Sequence, residues 1–163
     1  MSMKGDKGVI ERLNKALKLE LTAVNQFFLH ARMYRHWGFN KIAAIEYEES
    51  IDEMKHADML IERILFLDGL PNVQDLAKVR IGETLKECIE LDLAAEHDAH
   101  PVYKEAITYC EQVGDYVSRQ LLDEILKSEE EHIDFLETQL DVIGKIGEQL
   151  YMQSQLGEHQ TEG

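Results

Sequence analysis

Six ionisable residues constrain this chain more than any other feature, because they fall on the apolar stripes of four helices and their spacing repeats. Glu20 and Glu53 are 33 residues apart, as are Glu96 and Glu129, and a shift of 76 residues carries Glu20 to Glu96, Glu53 to Glu129 and His56 to His132. Each half of the chain therefore offers a lone Glu followed by a Glu-x-x-His pair, whose two side chains stand one turn apart on one helix face. A fold that buries the four stripes against one another must also bring these six groups together.

The stripes follow from steps of three and four residues. Leu122, Ile125, Leu136, Leu140 and Ile143 enclose Glu129 and His132, while Ile42, Ile45, Leu60, Ile64 and Leu67 share a face with Glu53 and His56. Leu13, Leu17, Val24 and Ala31 flank Glu20, and Leu85, Ile89, Ala99 and Tyr103 flank Glu96. The periodicity predicts helices over about 9–34, 41–68, 83–112 (bent at Pro101) and 115–143, with a short tail helix over 148–156. Breaks fall at His36 to Asn40, at Gly69 and Pro71 as expected helix stops, near Gly114, and at Gly144 and Gly147. The stretch 70–82 is long enough to run back along a bundle, so two helical hairpins joined by a crossover are expected. The expected unit is one all-α domain over 1–163, with its bundle at about 9–143.

Composition agrees. The 163 residues are 44% apolar with only two prolines, enough for a core without disulfides. Cys88 and Cys110 lie in one predicted helix, about 33 Å apart at 1.5 Å per residue, too far for a bridge. No basic-then-apolar leader and no long apolar run is evident, so a reducing cytoplasm is the expected setting. The formal charge of −15 repels phosphate backbones and attracts cations.

Four carboxylates gathered in an interior would be very costly without compensation, and two divalent cations cancel their charge. Carboxylate oxygens with one imidazole per metal suit iron or manganese, with zinc as a competitor. Glu49 and Asp92 stand on the same stripes four residues before proposed ligands, with Asp52 at the edge. They either support the site as a surrounding shell or lie where the bundle opens to solvent.

Several segments sharpen this reading: Asn25-Gln26 with Phe28-Leu29-His30-Ala31-Arg32, the run Glu49 to Asp58, Ile61 to Leu67, Asp115-Tyr116-Val117-Ser118-Arg119, and Glu129 to Asp134. With them the chain resembles a bacterioferritin over nearly its whole length, from Met3 to the tail after Gly147. The resemblance implies a ferritin-like four-helix bundle with a long crossover between helices two and three and a short fifth helix. It also implies iron storage and detoxification, with Fe(II) oxidised by O2 or peroxide at a ferroxidase centre of two iron ions per subunit and the ferric mineral kept inside a shell. The resemblance implies that this shell is a homo-oligomer, a 24-mer built from two-fold dimers. In such a site Glu53 and Glu129 bridge the metals, while Glu20 with His56 and Glu96 with His132 complete each coordination shell.

The resemblance further implies a haem b shared between two subunits, held by Met54 from each, and a small ferredoxin as partner in iron release. Met54 lies about 100° around helix two from Glu53, on a face with Ala43, Tyr47, Ser50, Ile61 and Leu65 that is expected to dock a second copy. Two departures stand out. Phe27 occupies a position where relatives often carry a tyrosine, and Glu48 one where they often carry a histidine. Three other functions are disfavoured. A shell limited to haem and iron binding is the less expected reading because no ligand is lost, a rubrerythrin-like peroxidase would need four more thiolates, and a metal-free bundle does not explain the matched polar residues.

Overall fold

A computed structural model describes residues 4–157, so the ends of the expected 1–163 domain, Met3 included, lie outside the described residues. Five helices follow in order: α1 Lys7–His36, α2 Asn40–Phe66, α3 Leu85–Gln112, α4 Tyr116–Ile146 and α5 Glu148–Gln155. Their starts are written in the sequence. Asp6 accepts the amide hydrogens of Gly8 and Val9 at the head of α1, Thr84 accepts that of Glu87 in a Thr-x-x-Glu arrangement, and Asp115 accepts that of Ser118. Each satisfies donors that a helix start leaves unpaired.

The internal repeat extends to the backbone. After α1, the amides of Trp37, Gly38 and Phe39 donate to the carbonyls of Met33, Arg35 and Tyr34; after α3, those of Val113, Gly114 and Asp115 donate to Tyr109, Glu111 and Cys110. Gly38 and Gly114 both take positive φ, 93° and 78°, the left-handed turn that reverses a helix at least cost in glycine. Each half is thus a helical hairpin with the same corner.

The ends of α2 and α4 differ from the periodicity. The α2 helix stops at Phe66, and the left-handed residue after it is Asp68 (φ 62°), not Gly69. Gly69 is there for space, since a Cβ would come within 2.8 Å of Ile10 and 3.0 Å of Ile64. Gly144 does not interrupt α4, which ends three residues later than expected against Gly147. The α3 helix continues through Pro101, at the loss of one main-chain hydrogen bond.

The crossover is bound to α1 by side chains. Asn14 accepts from the Asn72 amide and donates to the Leu70 carbonyl, and then Thr22, Gln26 and His30 accept from the amides of Ala77, Arg80 and Gly82. Successive contacts move up α1 as the chain advances, so the segment does run back along the bundle. It closes tightly at Gly82, where a Cβ would stand 2.6 Å from the Cys88 backbone nitrogen. Gly82→Ala should therefore lower stability by about 1–3 kcal/mol, the usual cost of overpacking, which denaturant titration would read; an unchanged midpoint would mean that this end of the crossover is loose.

Apolar side chains fill the two ends of the bundle. One end holds Val9, Leu13, Leu17, Leu60, Ile64, Leu122 and Ile125; the other holds Tyr34, Ile42, Leu85, Ile89, Leu136 and Ile143, with Tyr151 of α5 folded against it. Cys88 and Cys110 are buried and unpaired. The charged positions on the stripes lie between these two cores.

Candidate metal centre

Glu20 comes from α1, Glu53 and His56 from α2, Glu96 from α3, and Glu129 and His132 from α4, and the five other than His56 are at most 2% exposed. Ligand atoms of Glu20, Glu53, His56 and Glu129 lie within 4.8 Å of one another. The Nδ1 of His56 is 3.6 Å from Glu20 Oε2, 3.6 Å from Glu53 Oε2 and 3.7 Å from Glu129 Oε1. In the other half, His132 Nδ1 is 3.7 Å from both Glu96 Oε2 and Glu49 Oε2. All six groups meet in one interior region.

Their donor atoms are short of partners. Glu20 Oε2, Glu53 Oε2, Glu96 Oε2, Glu129 Oε1, His56 Nδ1 and both nitrogens of His132 are buried without a hydrogen bond. Buried polar atoms are rarely left so, and carboxylate oxygens and imidazole nitrogens that converge without hydrogen bonds suit a cation. Burial first, and then the neighbouring carboxylates, raises the Glu96 and Glu129 carboxyls well above their ordinary 4.5. Burial pulls His132 down to about 4, keeping its imidazole neutral and able to ligate. For His56 burial acts in the same direction, but Glu20 and the other carboxylates outweigh it and raise the value. Glu49 is pushed up to about 7 by burial and then Asp52.

Around this centre stand groups that the stripes alone did not assign. The Tyr103 hydroxyl donates to Glu20 Oε1 from a fully buried position. Asp92 is fully buried and not at a solvent opening. Its Oδ1 accepts from Gln26 Nε2 at 2.9 Å and pairs with His30 Nδ1 at 2.7 Å. Because His30 Nε2 accepts the Gly82 amide, its proton sits on Nδ1 and is donated to Asp92. Glu46, also fully buried, faces Asp92 as a neutral acid, raised well above the carboxylate range by burial and then by Asp92. Glu46 precedes Glu53 by seven residues, a spacing that marks it as inward.

A cleft of about 270 Å³ lies between α1, the crossover and α3, its lining including Gln26, Arg80 and Asp98 together with Glu53, Glu96 and Glu129. Met54 lies apart from them, 49% exposed on the outer side of α2.

The sequence matches the ferritin-like domain family over residues 10–146. It is 57% identical to a bacterioferritin of Brucella melitensis over 93% of this chain and 94% of that protein. The chain belongs to the bacterioferritin family. Identity is 52% to a bacterioferritin of Rhodobacter capsulatus, over 90% of this chain and 91% of the relative, and 50% to one of Mycobacterium bovis, over 91% and 94%. The family and its ferritin-like bundle are as the sequence segments implied. At the two positions of departure, Phe27 sets its ring edge-on to His132 with centroids 5.1 Å apart, and Glu48 is exposed.

Proposed function

We propose that this protein stores and detoxifies iron, binding two Fe(II) ions within each subunit and oxidising them with O2 or peroxide. The observation that supports this best is the set of buried donor atoms without partners, contributed by all four bundle helices. Glu53 and Glu129 would serve both ions, with Glu20 and His56 holding one and Glu96 and His132 the other. Two Fe(II) give up one electron each, which with two protons convert O2 to hydrogen peroxide or peroxide to two waters. The chain supplies charge balance and a fixed geometry, and the cleft beside Arg80 admits the oxidant. Copies of the one domain, residues 1–163, assemble from two-fold dimers into a shell that holds the ferric product.

A haem b belongs to the same reading: Met54 from each of two copies would hold it, and it would supply one-electron transfer for iron release, with a small ferredoxin as the donor. The fit rests on an exposed thioether within an apolar surface, where a second copy can approach. Among the described residues no helix is long and apolar enough to cross a membrane. The unpaired cysteines suit the cytoplasm.

Anaerobic Fe(II) titration followed by exposure to O2 or peroxide tests the reading. Two ions per chain and rapid oxidation are expected; absence of tight binding would sink it. Proton counting gives an independent check. Glu96 and Glu129 hold protons in the metal-free fold at pH values where the unfolded chain has lost them, and a cation must displace those protons. Metal-free stability from these groups and from His56 is present at low pH and falls as pH rises above their unfolded values, 4.5 and 6.5. His132 acts oppositely, losing stability as pH falls from 6.5 through about 4. Above pH 6.5 only the falling contributions remain. The metal-free melting temperature should therefore drop between about pH 6.5 and 8, and anaerobic metal addition near neutrality should release protons. Uptake of metal with no proton release would contradict the assigned carboxyls.

A further inference from the structure

The 76-residue repeat that relates Glu20 to Glu96 and His56 to His132 also relates Phe27 to Tyr103, each seven residues after the lone Glu of its half. Equivalent places in the two halves therefore carry a ring without a hydroxyl and a ring with one. Tyr103 donates its hydroxyl to Glu20 Oε1, leaving only Oε2 turned toward His56. Phe27 has no hydrogen to give, and it packs edge-on against His132. The gathered atoms differ in the same sense: Glu20, Glu53, His56 and Glu129 already converge within 4.8 Å, whereas the group formed around His132 comprises Glu49 and Glu53 without Glu96.

We infer that Tyr103 makes the two halves of the metal centre inequivalent, so that the Glu20/His56 half is preorganised and takes its cation first. This rests on the metal-site reading above. A carboxylate whose outer oxygen is held by a buried phenol has one orientation and presents one oxygen to a metal, so no ordering is left to be done on binding. Glu96 is as near its histidine but has no such tether from Phe27, so that ring does not fix its orientation, and Glu49 competes for His132 from the same side. Tyr103 is thus a positioning residue that acts through Glu20.

Anaerobic titration with Co(II) alone, read by its ligand-field absorption, separates the halves. His132→Ala leaves the Glu20/His56 half and His56→Ala leaves the Glu96/His132 half. Tyr103→Phe, which keeps the ring and its packing, should weaken Co(II) binding roughly 10- to 100-fold in the first background, the usual consequence of losing a partner behind a ligand, and leave the second unchanged. Phe27→Tyr should instead tighten binding in the His56→Ala background. Equal losses in both backgrounds would mark Tyr103 as general packing and overturn the inference, as would no change or tighter binding in the first, or no gain from Phe27→Tyr. If the unaltered protein takes up no Co(II) at this centre, the metal-site reading falls and the inference with it. Two Co(II) bound with indistinguishable affinities would leave that reading standing and overturn only the inequivalence.

Discussion

Glu129→Ala is expected to reduce the rate of Fe(II) oxidation by at least about 100-fold, beyond the loss typical of removing a group that merely supports a ligand, while the fold and assembly persist. The carboxylate lies 3.7 Å from His56 Nδ1 and within ligand distance of Glu20 and Glu53, so its removal strikes both halves of the proposed site. Glu53→Ala should behave alike, since Glu53 belongs to both groups of converging ligand atoms. Stability should not follow activity. Both side chains are buried on inward stripes, and deleting one lifts like-charge repulsion and desolvation from the metal-free state, so the apo variants should melt at the same temperature as the parent or higher. Stopped-flow oxidation and calorimetry on the same preparations read the two effects. Unchanged oxidation in both variants would remove the basis for the assigned centre.

Met54→Leu is expected to abolish the haem spectrum. Exposed Ile51 and Leu65 share the outer side of α2 with Met54 by helical spacing, and on α1 the exposed Phe28 ring lies 5.8 Å from the Tyr47 ring. Two residues expected on this surface are not available to a partner: Ala43 and Ser50 are buried within the subunit, with Ser50 donating to the Tyr47 carbonyl. The remaining patch still mixes apolar groups with the Arg32 guanidinium, which stacks over Phe28 and Tyr47. A surface of this kind suits a partner, and the proposed haem site would make that partner a second copy. Leucine preserves bulk and hydrophobicity, so pairing should survive, but it offers no sulfur to iron. Fe(II) oxidation should be retained because none of the six interior ligands changes, and release of stored iron to external reductants should slow. Full haem content and an unaltered spectrum would show that the thioether only packs.

The helices were legible because their apolar residues recur at steps of three and four, and the site because Glu129 and His132 interrupt such a run. Other features are not carried by spacing. Tyr103 reads as one more apolar member of its stripe, and its partner Glu20 lies 83 residues away on another helix. Glu46 stands in a segment so acidic that composition disguises which carboxylates face inward; only the seven-residue step to Glu53 separates it from exposed Glu48. The end of α2 shows the same limit. Gly69 looks like a conformational stop, but its lack of a side chain serves the approach of Ile10 and Ile64, a contact between elements far apart in the chain.

The repeat that equalises the two hairpins at their corners and ligands fails on one side of the centre. Gln26, His30, Tyr34, Glu46 and Asp92 form a buried polar group there, whereas the residues related to them by the same shift are Val102, Ala106, Cys110, Leu122 and Ala16. Apolar positions accept exchanges that keep volume at small cost, but Gln26, His30 and Asp92, joined by buried hydrogen bonds, can seldom change singly without stranding a partner. Mutational tolerance in this chain is therefore lopsided: the end built on Leu13, Leu17 and Leu122 can drift, while the end built on Asp92 must change in concert or stay as it is.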